Sequence, residues 1–381
     1  MVAKMSAFCK TSDEIVAQRM EDKKTTKIKV ENMSLLASGA FSNVYRGTAS
    51  TESNRELDIV IKKTWPKNSG TTKEVEVHEI LGKLKHKNIA RLLYTYETKH
   101  KDRTCLGLIF EYVPGTLYDF VMHEKRKIGI MDVKLITWQL FRGQAHLQKS
   151  AICHRDIKPQ NLLFNPGTGL LRISDFGSSC FQSDNELTSY HVTRYYRPPE
   201  LILGAKKYGC ELDVWSCGCV MGELLKGKVL LAGKSANNQA EVIFDVIGVP
   251  SKEELASMRV SSSKYKAIFE GYRADPIKSI VPFSFLYEQT ARNRKERRSS
   301  VYNEKINIDD MKESADILRQ ILVYRPECRL SGMEVLNHPY FSPLFEPGAV
   351  RSNNEPISCI TKSDLRHVIA GDRTVTHETV E

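Results

Sequence analysis

One short segment carries side chains whose types and spacing suit phosphoryl transfer. It is the run CHRDIKPQN from Cys153 to Asn161, and the run DFG begins at Asp175, fourteen residues later. Phosphoryl transfer needs a carboxylate at the attacking hydroxyl and oxygen ligands for Mg²⁺. We therefore expect Asp156 to orient the hydroxyl and accept its proton, and Lys158 to neutralise charge on the γ-phosphate. Asn161 and Asp175 are the expected metal ligands, because Mg²⁺ prefers hard oxygen donors.

Further motifs follow this segment, and together they resemble the protein kinase family. They are RYYR from Arg194 and DVWS from Asp213. Other runs are similar more narrowly to glycogen synthase kinase 3: YVP from Tyr112, QLFR from Gln139, ICHRDIKPQNLL from Ile152, and the pair Ser189-Tyr190. The likeness covers about Leu36 to Phe341. Two acidic loops that arose independently would not reproduce this order and spacing.

The resemblance implies a fold class, an activity and cofactors. The fold would be α+β, a bilobal protein kinase fold with a small β-rich N-lobe and a larger, mainly helical C-lobe, and with ATP buried between them. The activity would be that of a serine/threonine protein kinase that uses ATP and Mg²⁺. The partners would be protein substrates, including substrates already primed by a phosphate, and docking proteins.

A lysine on a predicted strand resembles the phosphate-binding lysine of kinases. Lys62 ends the run VIK, which is similar to the V-A-I-K element, so it should contact the α- and β-phosphates. Its helical acidic partner has two candidates. Glu74 lies twelve residues after Lys62, the spacing that the resemblance suggests, whereas a gapless count back from the run HKNI at His86 arrives at Val77. We favour Glu74 and hold Glu76 in reserve.

The predicted phosphate-covering loop is poor in glycine. It reads LASGAFSNVY from Leu36, with Gly39 as its one glycine and with Ala37 and Ser42 where kinases often have glycines. Glycine lets backbone amides approach phosphates closely, so this loop should be stiffer than usual. The resemblance makes the loop a nucleotide lid, with Val44 among its contacts.

An apolar strand should lead into the adenine-binding segment. Phe110 ends the apolar run, and EYV follows. By resemblance, backbone groups of Glu111 and Val113 would hydrogen-bond adenine, and Phe110 would narrow the space behind the base.

An activation segment is expected between Asp175 and Glu200. A phosphate on Tyr190 would bring three acceptor oxygens, which Arg194 and Arg197 are placed to bind. Glu200 resembles a buried acid that pairs with Arg329, which would be a structural role.

The resemblance also suggests a cationic pocket for a phosphate already present on the substrate. Mapped by position, Arg155 matches one cation, Lys73 replaces an arginine, and Cys180 replaces a lysine. Lysine cannot form the two-pronged contact that arginine makes with phosphate. We therefore predict a weakened pocket for primed substrates.

The chain divides into a leader, a kinase domain and a tail. Residues 1–27 are polar and mixed in charge, which predicts a flexible leader. Residues 28–345 should form the domain: β-type segments dominate about 28–112, and helical spacing dominates about 113–345. A basic insertion lies near 285–305, and 346–381 is read as a C-terminal tail. Pro114-Gly115 is a plausible hinge between the lobes.

Composition limits the alternatives. The 381 residues are 41% hydrophobic and 27% charged, with a net charge of +10 and nine cysteines without metal spacing. No apolar run suits a membrane span and none suits a signal peptide, so we expect a cytosolic or nuclear protein with reduced thiols and without a membrane or nucleic-acid partner. The main rival is a kinase-fold scaffold that is weak or inactive in catalysis. A basic nucleic-acid binder using Arg292–Arg298 is a remote second, since no aromatic interleaving accompanies the charge.

Overall fold

The chain folds into two compact units that divide between Pro114 and Gly115, inside the predicted hinge. The computed structural model describes residues 13–39, 42–51, 56–65, 72–100, 103–123, 128–184, 193–260, 265, 266, 269, 272 and 308–370. The basic insertion near 285–305 lies outside these ranges. Among the described helices, none combines the length and the apolar character that crossing a membrane requires.

The first unit is a six-stranded antiparallel barrel, and one helix lies among its described residues. Neighbours in the barrel follow the order β1-β2-β3-β4-β6-β5. Alternate residues point inward, so Ile28 and Val30 from one strand and Ile59 and Ile61 from another meet in one apolar core. The elements are β1 Asp13–Arg19, β2 Thr25–Ser38, β3 Ser42–Ser50, β4 Glu56–Thr64, α1 Lys73–Leu84, β5 Leu92–His100 and β6 Arg103–Glu111.

The predicted flexible leader is wrong from Asp13 onward. Strand β1 pairs with β2 along its length, and its end pairs with β5, where Gln18 lies opposite Thr95. Ala17 is buried in the barrel core, and Ile15 packs against that core. An unpaired sheet edge exposes backbone donors and acceptors, so closing the barrel with this strand satisfies them. Residues 1–12 lie outside the described part of the chain.

Helix α1 is fixed at both ends by its sequence. The Thr72 side chain accepts a hydrogen bond from the backbone N–H of Val75 and caps the first turn. Glu74 and Glu76 stand in that turn, where the helix dipole favours negative charge. The helix ends at Lys85, which takes a left-handed conformation with φ 39°. The buried face of the helix carries Glu74, Val75, Val77, His78 and Leu81.

The second unit is mainly helical, with two small antiparallel two-stranded sheets, β7 with β10 and β8 with β9. Val133, Ile136, Leu140 and Leu147 recur at helical spacing and are all buried. The helices are α2 Leu117–His123, α3 Ile130–Lys149, α4 Pro199–Ile202, α5 Glu211–Lys226, α6 Ala236–Ile247, α7 Lys252–Ser257, α8 Ile308–Ile321, α9 Gly332–Leu336 and α10 Lys362–Ala370; the strands are β7 Ile152–Cys153, β8 Leu162–Phe164, β9 Leu171–Ile173 and β10 Cys180–Phe181.

The predicted tail also needs correction, because residues 346–370 are fastened to α3. Arg351 Nε donates to Asp132 Oδ1 at 2.8 Å, and the backbone N–H of Ser352 donates to Asp132 Oδ2 at 3.1 Å. Asp364 in α10 forms an ion pair with Arg142. Because this segment is polar in composition, its sequence did not indicate that a few buried charged residues bind it to α3. Residues 371–381 lie beyond the described ranges.

Candidate active site

The loop after β7 is held by a buried carboxylate on α5. Asp213 accepts a hydrogen bond from the backbone N–H of His154 at 2.6 Å and another from that of Arg155 at 3.0 Å. Burial raises the pKa of Asp213, whereas the neighbouring His154 ring and both hydrogen bonds lower it. Arg155 has a φ of 67°, so these bonds stabilise a left-handed turn that most residues avoid. The turn sets the direction of Asp156.

The Asp156 carboxylate contacts donors from three other residues. Its Oδ1 accepts from Thr193 Oγ1 at 2.7 Å and from the Thr193 backbone N–H at 3.3 Å. Its Oδ2 accepts from Lys158 Nζ at 2.7 Å and from Asn161 Nδ2 at 2.9 Å. Lys158 Nζ also donates to Thr193 Oγ1 at 3.0 Å. The Thr193 hydroxyl therefore lies between the Asp156 carboxylate and the Lys158 ammonium. The hydroxyl of a substrate would need to contact the same two groups.

The two predicted metal ligands lie near one end of the β8–β9 hairpin. The Asn161 carbonyl accepts from the Ser174 backbone N–H at 2.9 Å and from Ser174 Oγ at 2.8 Å, which brings Asn161 close to the residue before Asp175. Because Asn161 donates to Asp156 through Nδ2, its amide oxygen is the atom that remains for a cation. Asp175 is exposed and left-handed, with φ 61°. These hard oxygen donors fit Mg²⁺.

In the first unit, Lys62 and Glu74 form a close ion pair. Lys62 Nζ lies 2.8 Å from Glu74 Oε1 and 2.9 Å from Oε2. The reserve candidate, Glu76, is half exposed and lies 3.3 Å from Lys73 Nζ. Val77, where the gapless count arrived, is fully buried in the helix face. The structure thus pairs Lys62 with the acid that the twelve-residue spacing favoured.

The lid residues lie on the β2–β3 hairpin. Leu36 and Ala37 are exposed residues of β2, and Ala37 faces Val44 of β3. The backbone N–H of Gly39 donates to the carbonyl of Ser42 at 2.8 Å, which closes the turn. Residues 40 and 41, at the tip, are outside the described residues.

The predicted adenine-binding segment begins at the end of β6. Phe110 packs in a cluster with Val75, Leu92 and Leu108, and its ring meets that of His78 edge-on at 5.3 Å. The paired position of Glu111 on β4 is Ile59, and the next backbone N–H, of Tyr112, donates to the Asp58 carbonyl at 3.1 Å. Glu111 and Val113 are both partly exposed.

The residues mapped to a substrate phosphate have dissimilar surroundings. Arg155 is 7% exposed, and its guanidinium donates to the Ser178 carbonyl at 2.6 Å and to the Tyr208 hydroxyl at 3.2 Å. The Lys73 side chain is 44% exposed on α1. Cys180, which was mapped to the position of a lysine, is 4% exposed and packs inside an apolar cluster. It lies in the short strand β10, opposite Cys153 of β7.

Tyr190 lies outside the described residues, so its predicted phosphorylation keeps the status of a prediction. The predicted structural pair is present further along: Arg329 Nη1 donates to Glu200 Oε1 at 2.7 Å, and both side chains are buried. Sequence reasoning missed Thr193 and Asp213 as positioning residues, although they stand beside or within the motifs RYYR and DVWS. Their position inside or next to these motifs is the signal that could have identified them.

Comparison with known proteins shows which proteins this chain resembles. Residues 30–341 match the protein kinase domain family. The chain is 33% identical over 343 residues to glycogen synthase kinase 1 of Pyricularia oryzae, which covers 88% of this chain and 78% of the relative. It is 34% identical over 282 residues to protein kinase gsk3 of Schizosaccharomyces pombe, which covers 72% of this chain and 66% of the relative.

Proposed function

Since the chain belongs to the protein kinase family, we propose that the loop around Asp156 performs its phosphoryl transfer. The chain is an ATP-dependent protein serine/threonine kinase with the bilobal kinase fold, and kinases of its glycogen synthase kinase 3 type use ATP and Mg²⁺. The observation that carries the proposal is the Asp156–Thr193–Lys158 arrangement, in which a hydroxyl contacts both a carboxylate and an ammonium.

Asp156 would orient the substrate hydroxyl and accept its proton as the phosphoryl group transfers. Thr193 Oγ1 lies 2.7 Å from Asp156 Oδ1, within the range required for such a proton transfer. Lys158, whose Nζ lies 2.7 Å from Asp156 Oδ2, would balance negative charge on the γ-phosphate. Thr193 would position both groups before the substrate arrives.

Asn161 and Asp175 would hold Mg²⁺ through their side-chain oxygens. When bound, the metal neutralises charge that develops on the transferring phosphates. On the nucleotide, Lys62 would contact the α- and β-phosphates, and the ion pair with Glu74 keeps its ammonium in place. The remaining nucleotide contacts would come from Leu36, Ala37, Gly39, Val44, Glu111 and Val113.

Phosphotransfer by the purified chain tests this assignment against the scaffold alternative. Labelled ATP, Mg²⁺ and a generic protein substrate should give labelled serine or threonine with the parent and none with Asp175→Ala. The matched control is Asp184→Ala. It removes a carboxylate that follows β10 in the same predicted activation segment as Asp175, and it should keep activity. A parent chain that binds ATP but transfers nothing would favour a scaffold.

We also propose that discrimination in favour of primed substrates is weak. The Arg155 guanidinium is engaged with Ser178 and Tyr208, Cys180 is buried, and Lys73 offers only a point charge. The net charge of +10 still favours acidic or phosphorylated substrates. We further propose that docking proteins bind the chain, which affinity capture would test. We also propose a cytosolic or nuclear location, which imaging of a tagged chain would test.

Paired primed and unprimed peptides measure this discrimination. We expect the parent to prefer the primed peptide by less than about tenfold, since one missing charge-assisted hydrogen bond weakens binding by roughly 1.5–3 kcal/mol. Lys73→Arg should raise the ratio because arginine binds phosphate with two parallel bonds, whereas the control Lys83→Arg on the same helix should not. An unchanged ratio in Lys73→Arg would remove Lys73 from the pocket.

Tyr190 is proposed as a phosphorylated residue of the activation segment. Mass spectrometry of active protein should find the phosphate, and Tyr190→Phe should lower activity without abolishing it, because Arg194 and Arg197 would lose an ordering contact. Full activity without detectable phosphate would exclude this role.

A further inference from the structure

Three cysteines with no assigned catalytic role pack together in the second unit. Cys153 ends β7, Cys180 begins β10, and Cys210 directly precedes α5. Their exposed fractions are 1%, 4% and 1%, and they pack with Leu201 and Leu212 in one cluster. Buried cysteines usually act as small apolar side chains, so their mutual contacts decide whether they can do more.

Cys153 contacts both of the other thiols. Its Sγ lies 3.1 Å from Cys210 Sγ, and Cys180 packs with it in the same cluster. Cys153 and Cys180 are directly opposite residues of the antiparallel β7–β10 pair. Such residues have Cα atoms about 4.5–5.5 Å apart, which lies inside the roughly 4.4–6.8 Å range of disulfides. The backbone therefore already allows a bond between these two residues.

The two thiols differ in pKa: that of Cys180 is lowered, and that of Cys153 is raised. The neighbouring Cys153 thiol lowers the pKa of Cys180, and the positive charge of Arg155 lowers it further, although burial opposes both. The neighbouring thiols of Cys180 and Cys210, together with burial, raise the pKa of Cys153. A thiolate is the reactive form of cysteine, so this arrangement places a nucleophile beside a thiol that can resolve its oxidised product.

A surface cavity reaches the edge of this cluster. It has a volume of about 250 Å³, and Gln182, Tyr208 and Gly209 are among its lining residues. Cys210 Sγ lies 3.6 Å from Oε1 of Gln182, so a side chain that lines the cavity contacts the cysteine cluster. Hydrogen peroxide is close to water in size, and a movement of Gln182 would admit it.

We propose that hydrogen peroxide converts Cys153 and Cys180 into a reversible disulfide that lowers kinase turnover. The Cys180 thiolate attacks one peroxide oxygen, the O–O bond breaks, and a proton completes water, which leaves a sulfenic acid. The Cys153 sulfur then attacks the Cys180 sulfur, the S–O bond breaks, and the departing hydroxide takes the Cys153 proton as a second water. Two thiols are thereby oxidised and one peroxide is reduced.

The bond would alter the active site through its two strands. Strand β7 leads directly into the loop of Asp156, and β10 follows Asp175 by five residues. Forming the bond draws the two sulfurs from a non-bonded separation to about 2.05 Å. A displacement of 1 Å in a catalytic group can cost about 100-fold in rate, so we expect a loss of about tenfold when the strands share the movement. This effect on turnover rests on the proposed function, whereas the disulfide itself does not.

The test treats the full chain with graded hydrogen peroxide, blocks remaining thiols with an alkylating reagent, and maps cross-linked peptides by mass spectrometry. We expect a Cys153–Cys180 peptide and a parallel fall in turnover of about tenfold, both reversed by dithiothreitol. Cys180→Ser should show neither effect and should keep the basal turnover. The control Cys328→Ser, which removes an exposed thiol, should respond like the parent. If Cys180→Ser does not fold, Cys180→Ala takes its place.

Three results would overturn the proposal. One is the absence of the cross-link at a peroxide concentration that oxidises Cys328; another is a Cys153–Cys210 cross-link in its place. The third is a Cys153–Cys180 cross-link that leaves turnover unchanged, which refutes the regulatory effect. A chain that forms the predicted cross-link but transfers no phosphate even when reduced would instead count against the proposed function, and the cross-link would still support the thiol chemistry.

Discussion

Two ion pairs, one in each unit, have nearly the same contact distance and very different surroundings. In the first unit Lys62 Nζ lies 2.8 Å from Glu74 Oε1; in the second, Arg329 Nη1 lies 2.7 Å from Glu200 Oε1. The Arg329 and Glu200 side chains are 0% and 2% exposed, whereas those of Lys62 and Glu74 are 16% and 8% exposed. Distance alone therefore does not separate a structural pair from a functional one.

Burial and the surroundings of the cation do separate them. Arg329 also donates to the Val323 carbonyl at 3.2 Å and to the Glu211 carbonyl at 3.1 Å, and its guanidinium lies 5.3 Å from the Trp215 ring centre. Such a fully buried cation joins α4, α5 and the loop after α8 and has no access to a ligand. The Lys62 ammonium belongs to the more exposed pair, which suits a contact with phosphate. We infer that the second pair maintains the fold and the first serves the nucleotide.

The largest expected effect comes from breaking the buried pair. Glu200→Gln should lower the free energy of unfolding by about 3–5 kcal/mol, because it leaves the Arg329 charge buried without its carboxylate. Denaturant unfolding measures the change. The control is Glu327→Gln, which breaks the exposed pair with Arg325 and should cost less than about 1 kcal/mol. Equal losses in the two variants would show that burial does not set the value of this pair.

Breaking the first pair should instead affect catalysis. Glu74→Gln should lower kcat/KM by about 100-fold, since the Lys62 ammonium loses its position against the phosphates. Unfolding measurements should show a smaller change than in Glu200→Gln. Glu79→Gln, on the same helix, breaks an exposed pair with Lys23 and should leave kcat/KM unaltered. If Glu74→Gln kept full activity but unfolded easily, the two pairs would share one role.

The smallest effect is expected at the lid. Ala37→Gly with Ser42→Gly should tighten ATP binding by about threefold, because glycine allows closer approach to phosphates. Both residues lie in paired strands, so the double variant should also lose about 1–2 kcal/mol of stability. Titration with ATP, compared with the peptide KM, distinguishes lid contacts from a general loosening. Unchanged ATP affinity would show that the loop is already adapted.

The sequence predicted most of what these comparisons use, because short motifs and helical spacing are local signals. Helix α3 and the choice of Glu74 over Glu76 depended on such signals. Strand β1 gave no such local signal, since its one fully buried residue, Ala17, is too small to mark an alternating pattern. Its pairing with β5 also joins segments that are distant in sequence.

Contacts between distant segments were also out of reach. Asp132 binds Arg351 across more than two hundred residues, and this contact converts a predicted tail into part of the second unit. The inward direction of Cys180 follows from the register of a two-residue strand, which no sequence period reveals. Thr193 could have been noticed beside its motif, but its contact with Asp156 required the fold.

Turnover of Asp156→Ala measures the central claim most directly, because Asp156 is the group to which the account assigns the proton. With labelled ATP, Mg²⁺ and a protein substrate, kcat should fall by about a thousandfold, while the KM for ATP and the free energy of unfolding stay near those of the parent. Turnover within a few-fold of the parent, in protein verified to carry the substitution, would contradict the account and place the chemistry elsewhere.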